Sequence, residues 1–467
     1  MQFKWSKDHY INMYAVEIFV IRVSNIPSNK ETEINKSKID SSSAKNALKL
    51  IMNSIFGIVG LCVLFAMPWT MIKRTNSILH QSYWMEVTLP VISVYVLASL
   101  SVLLDLTIWT KENILKSLGI YWRVYLMNVV TFIVLYIFSY FIWCIFLQFN
   151  HPLPYLGLIV LPTSTIVTIG FWFIMPKQLL GKKDFRQKLQ IYMIYVVWLQ
   201  ITIITREILS FLYTNIMAEF QFLVPFLLAG CRQFDKSVRM KLLNKMMTKM
   251  FEQATALLTT QVNSSYAFFI AIRLVKAEWA TMISTVAIEL ILHLRMTLQI
   301  FQDRRKINEE ATPNENTQDN MKMTQLILTE LIEGFTPIIY GTCMTMAYYG
   351  PNAHILANVG NTYWSTKIED IDPILGTMAI LFAFDTLNVL INSFCLWKVV
   401  QVNMIQEFSR VITSYWHFLA IALGLNMTGY FASTDINLGV DGTQSFKWIS
   451  RKGWMHLFFN SNNLTKE

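Results

Sequence analysis

Long apolar runs constrain this chain more than any other feature. They lie at about 50–72, 87–110, 124–148, 155–175, 190–213, 214–231, 254–272, 279–300, 324–349, 374–397 and 411–432. Each approaches or exceeds the roughly 20 residues that carry a helix across a bilayer core. The apolar residues are continuous rather than spaced at period 2 or 3.6, as expected of segments buried on every side. Strands of a membrane barrel would be about ten residues long with alternating polarity, a pattern the sequence lacks. Composition agrees, since 54% of the 467 residues are hydrophobic and 15% are charged, against roughly 25% charged in a soluble domain. The expected fold is therefore all-α, a polytopic transmembrane helical bundle located in a membrane.

Two stretches complicate the count. Arg206 and Glu207 break the 190–231 stretch, and Arg273, Lys276 and Glu278 break the 254–300 stretch. Each is two crossings or one long tilted helix. The expectation is about nine to eleven spans, with about seven as the low bound if the shorter runs are re-entrant. The chain then divides into a flexible cytoplasmic tail (1–49), a transmembrane helical domain (50–432) and a polar carboxyl-terminal tail (433–467).

Lys and Arg beside the spans predict orientation. The first 49 residues hold eight of them, and the segments 111–123, 176–189, 232–250 and 302–322 are also rich in them. The connections between these hold few: Lys73 and Arg74 in 73–86, none in 149–154, and Lys367 in 350–373. This alternation places the amino terminus in the cytoplasm and favours two crossings in each doubtful stretch. The net charge of +9 follows from the cytoplasmic loops and calls for no nucleic acid.

The segment Tyr348 to Asp372, YYGPNAHILANVGNTYWSTKIEDID, then faces the opposite side. Gly350 and Pro351 stop the helix before it, and Pro373 suits the first turn of the next, with Asp372 as N-cap. Its aromatic residues read as a headgroup-level belt. They also read as a ligand-contacting loop through Tyr348, Tyr349, Tyr363 and Trp364. Trp69, Trp109, Trp122 and Trp397 fall near span ends and are expected to anchor helices at the interface.

Asp105, Arg206, Glu207, Glu219, Glu289, His293, Glu330, Glu333 and Asp385 lie within or beside apolar runs. An ionised group at the bilayer centre costs several kcal/mol and therefore faces a partner, water or the bundle interior. Glu330 and Glu333, three apart, share a helix face. Asp105, Glu330, Glu333 and Asp385 are the candidate pathway for an ion or polar ligand. The plainer reading moves the span limits and lets these groups reach the interface. Gly334, Pro337 and Gly341 are expected to interrupt their span.

From Asp235 to Ala254 the pattern is that of one amphipathic helix. Leu243, Met246, Met247, Met250 and Phe251 recur at helical spacing, and Lys241, Lys245 and Lys249 form a row on another face. Such a row suits anionic lipid, or the segment simply extends the next span. Cys62, Cys144, Cys231, Cys343 and Cys395 lack paired spacing, and the histidines form no HExxH, so neither a metal site nor a cofactor is expected. No nucleotide-binding or hydrolase motif occurs, which argues against an enzyme. The series Asp435, Asn437, Gly439, Asp441 fails the EF-hand pattern at Val440 and Phe446. Asn463 and Asn263 each begin a glycosylation sequon. The sequence thus suggests transport or conduction of an ion or small polar solute, with reception of an external ligand through the 348–372 loop as the alternative. Its partners would be membrane lipid and a small ligand or ion, and a homo-oligomer is compatible with it.

Overall fold

The computed structural model describes residues 41–71, nine positions between Ser93 and Trp109, and residues 180–215, 218–247, 250–274, 279–310, 313–351, 371–400 and 403–434. Among the described residues there is no strand. The α-helices are α1 (Ser41–Thr70), α2 (Lys183–Asn215), α3 (Val224–Met246), α4 (Phe251–Leu274), α5 (Trp279–Glu310), α6 (Pro313–Tyr349), α7 (Asp372–Val400) and α8 (Met404–Thr434), and a 3-10 helix, Ala218–Leu223, precedes α3. The nine positions from Ser93 to Trp109 are also helical.

Four helical stretches are long and apolar enough to cross a membrane: Asn46–Thr70 in α1, Trp279–Gln302 in α5, Met321–Tyr349 in α6 and Asp372–Lys398 in α7. Their environments differ. In the most apolar part of α6, 83% of residues are buried, whereas in α1 and α7 the share is 17%. The centre of the bundle is therefore α6, which packs against α1, α4, α5, α7 and α8. The outward faces of α1, α5 and α7 present Phe56, Leu64, Ile283, Ile291, Leu390 and Phe394 to the surroundings. Apolar faces of that extent mark a surface that meets lipid or another protein. Buried hydroxyls follow the same logic: Thr260, Thr336 and Thr428 each donate to the carbonyl four residues back, at 2.8 Å. That local bond satisfies a hydroxyl where no water is at hand.

Helices consecutive in the chain alternate in direction. Trp198 and Thr202 of α2 meet Asp235 and Arg239 of α3. Arg232 of α3 meets Asn263 of α4, His293 of α5 meets Glu330 of α6, and Asn392 of α7 meets Glu330. Members of each pair lie at similar distances from the junction of their helices, so consecutive helices run antiparallel. The starts of α4 and α8 are joined by Tyr415, whose hydroxyl donates to Glu252 at 3.2 Å. The ends of α1 and α6 meet where a Cβ on Gly350 would lie 2.6 Å from the Thr70 carbonyl oxygen. Ser41 and Gly350 thus lie at opposite ends of the bundle. Lys183, Lys241, Lys245, Arg304 and Arg305 all sit in helix turns at the end where α1 begins.

Several sequence expectations need correction. Regular helix begins at Ser41 and overlaps the predicted tail. Gly334, Pro337 and Gly341 do not interrupt α6, which runs unbroken from Pro313 to Tyr349. The proline instead leaves the Glu333 carbonyl without its helical N–H donor. The Asp235–Ala254 segment is not one helix, because α3 ends at Met246 with Met247 extended and α4 starts at Phe251. Trp69 and Trp109 are fully buried. Trp69 donates from Nε1 to Ser93 Oγ at 3.1 Å, and Trp109 packs on Phe185 and Tyr192. Both serve the core rather than an interface, whereas Trp397 is 56% exposed. Trp122 and Cys144 lie outside the described residues.

Candidate functional site

The most polar region of the interior lies where α3, α4, α5, α6 and α7 converge. Arg232 of α3 is its hub and is buried. Its Nη1 donates to both carboxylate oxygens of Glu289 at 2.9 Å, and its Nη2 donates to Glu333 Oε1 at 2.8 Å. Its Nε donates to Asn263 Oδ1 at 3.1 Å, and Asn263 Nδ2 in turn donates to Thr329 Oγ1 at 2.6 Å. The planar guanidinium fork suits this arrangement, since it serves two carboxylates and an amide at once. Lys in the same place would satisfy fewer of them.

His293 of α5 lies four residues after Glu289 and so on the same helix face. It is fully buried. Its Nδ1 lies 2.8 Å from Glu330 Oε1 and 2.6 Å from the Asn388 amide. One ring nitrogen either donates or accepts. Nδ1 donates to Glu330 in one tautomer and accepts from Asn388 Nδ2 in the other, and donation to the charged carboxylate makes the stronger bond. Glu330 Oε1 also accepts from Asn392 Nδ2 at 2.7 Å, and Asn392 Oδ1 accepts from Thr297 at 3.1 Å. The other ring nitrogen, Nε2, is 2.9 Å from Glu333 Oε2. The contact is an ion-pair approach rather than a hydrogen bond.

A cavity of about 180 Å³ borders the cluster, lined by Arg232, Glu289, Glu333, Asp385 and Asn388 together with apolar side chains of α4, α5 and α7. Asp385 is half-buried there and forms no hydrogen bond or ion pair among the described residues. Pro337 lines the same cavity, so the carbonyl it leaves unmatched belongs to a residue of the site.

The structure brings together three of the four residues expected to form a pathway, namely Glu330, Glu333 and Asp385. The fourth, Asp105, lies elsewhere and accepts from Gln261 Nε2 at 3.0 Å. Near it is a second ionic group, in which Arg239 holds Asp235 at 2.7 Å and Trp198 donates to the same carboxylate at 2.9 Å. Arg232, Asn263, Asn388 and Asn392 were not foreseen. Asn388 and Asn392, spaced four apart in an apolar run, carried the available signal. The NSS at Asn263 is a structural position, because its side chain is buried and bonded on both sides.

Of the aromatics singled out in the 348–372 segment, Tyr348 and Tyr349 end α6, and their rings meet edge to face at 5.0 Å. Tyr363 and Trp364 lie outside the described residues, as do Lys249 and Asn463. Lys241 and Lys245 are exposed on α3, while Leu243, Met246 and Met247 are buried. Arg206 and Glu207 fall inside α2 rather than at its end. The described cysteines Cys62, Cys231, Cys343 and Cys395 are free thiols.

Fold and site together define a class: the described residues are helical, four of the helices are long and apolar enough to cross a membrane, and a buried ionic cluster lies between helices. No family model, curated protein or solved structure matches the chain.

Proposed function

We propose that the protein is a multi-pass transporter or channel that moves an ion or small polar solute past Glu333 and Asp385. In this reading about nine to eleven segments cross the bilayer, and the amino terminus and the cationic turns lie in the cytoplasm. The observation that carries it is the cavity beside the Arg232–Glu289–Glu333–His293–Glu330 cluster, at the centre of helices whose outer faces are apolar. Buried charge is expensive in a membrane bundle and normally serves a solute path or a proton relay. Asn388, Asn392 and Thr297 add neutral hydrogen-bonding groups, which can replace the water of a partly dehydrated solute. The exposed Lys241 and Lys245 would meet anionic lipid, and no catalytic step is part of the reading.

A second reading, reception, is favoured by one feature. Tyr349, 76% exposed at the end of α6, opens the outer segment, and the same helix carries Glu330 and Glu333. A ligand on that segment could shift α6 and thereby the cluster. Reconstitution into liposomes separates the two. With ion gradients and flux dyes, the transport reading expects movement in the wild type and at least a tenfold loss in Asp385→Asn. A receptor shows neither flux nor current, and that result would sink the transport reading.

A further inference from the structure

Glu289, His293 and Glu333 each offer one ligand atom, and these atoms all lie within 4.8 Å of one another. A first-row metal with ligands at about 2.0–2.2 Å sets neighbouring ligand atoms roughly 3–4 Å apart, so small side-chain movements close this triad on a single ion. We propose that the three residues bind a divalent transition-metal cation. The inference narrows the solute class of the transport reading and rests on that reading for its role, though not for its existence.

The histidine provides the second, independent observation. Metal-bound imidazoles usually give one ring N–H to a carboxylate and turn the other nitrogen to the metal. The tautomer of His293 that donates to Glu330 is arranged this way. Its Nδ1 is held by Glu330 at 2.8 Å. Its Nε2 is wholly buried, makes no hydrogen bond and faces Glu333 Oε2 at 2.9 Å. With the ring proton on Nδ1, the lone pairs of Nε2 and Oε2 repel at that distance unless a cation lies between them. Asn392 fixes Glu330 in turn by donating to the same oxygen at 2.7 Å.

Charge points the same way. Glu289, Glu330, Glu333 and Asp385 bring four carboxylates to this region, against the Arg232 guanidinium and the His293 imidazole. Excess negative charge in a buried site demands compensation. A divalent cation supplies it without displacing Arg232. Each carboxylate oxygen has a second lone pair, so the bonds from Arg232 can hold the ligands while the metal takes the remaining sites. The free carbonyl of Glu333 and the carboxylate of Asp385 border the cavity from which an ion would enter. An imidazole with oxygen ligands and no thiolate suits zinc, iron, cobalt, nickel or manganese rather than a soft monovalent ion.

The test uses the untagged full-length protein in detergent, stripped with a chelator and then titrated with Zn²⁺ and with Co²⁺. The expected result is one equivalent per chain, with a zinc-edge absorption spectrum showing a single imidazole among oxygen ligands. His293→Gln should abolish stoichiometric binding. Glu330→Gln, which removes the partner of Nδ1, should weaken it by about 10–100-fold. If His293→Gln fails to elute as a monodisperse species, the wild-type spectrum still decides. Absence of stoichiometric binding, a spectrum without imidazole, or unchanged binding in a folded His293→Gln would overturn the site. One bound equivalent without flux in liposomes leaves the site standing and removes the transport reading. Flux without metal binding does the reverse.

Discussion

Arg232 has a demanding position, holding two carboxylates and an amide from three other helices. It is buried and compensates two carboxylates that would otherwise face each other across α5 and α6. Arg232→Met would leave both charges unpaired, and breaking a buried pair in this way costs about 3–5 kcal/mol. The expected outcome is a large fall in midpoint when thermal unfolding is followed in detergent. Adding Glu289→Gln and Glu333→Gln to that variant should recover part of the loss, since neutral amides remove the unpaired charge. No recovery would mean that Arg232 acts mainly through packing. Asn263 gives a contrasting case. Its sequon sits in a buried helix with both ends of the amide engaged, so Asn263→Gln should cause no glycan-dependent shift on a gel from a glycosylating host. A shift would place that surface outside the bundle.

Close approach at helix ends matters as much as the core. Gly350 follows α6 where a Cβ would come within 2.5 Å of the Met346 carbonyl oxygen and 2.6 Å of the Thr70 carbonyl oxygen. Both are backbone atoms, so neither can swing away. Gly350→Ala is therefore expected to separate the ends of α1 and α6 and to lower the unfolding midpoint by several degrees. Gly334→Ala is the matched control, because a Cβ there meets nothing within 4 Å, and its midpoint should stay level or rise with the better helix former. Equal losses in both would refute the steric account. The Gly350–Pro351 stop and the helix start at Asp372 were legible beforehand, because each rests on local backbone chemistry. The continuity of α6 through Pro337 was not. Packing on five neighbouring helices holds the turn that the proline weakens.

Across the whole molecule, alternating helix direction accounts for the charge pattern. The cationic turns collect at the end where α1 begins, and α6 ends and α7 begins at the other. Single cysteines at 40, 180, 242 and 312 should label from the side of the amino terminus, with 360 labelling from the opposite side. Labelling of 242 and 360 from one side would break the arrangement. Position 460 will show whether an odd or even number of crossings precedes it.

The amino-acid sequence alone determined that the described residues are helical and apolar and where most of the described helices lie, because continuous hydrophobic runs and Gly–Pro punctuation act over a few residues. It also singled out Glu330, Glu333 and Asp385, because a charge inside an apolar run is conspicuous wherever it folds. Only the tertiary structure decided that Arg232 and His293 join them while Asp105 does not. Trp69 and Trp109 went inward for the same reason, since each found partners on distant segments. Those choices depend on which helices touch and at what rotation, and contacts between residues dozens of positions apart leave no periodic trace in one sequence.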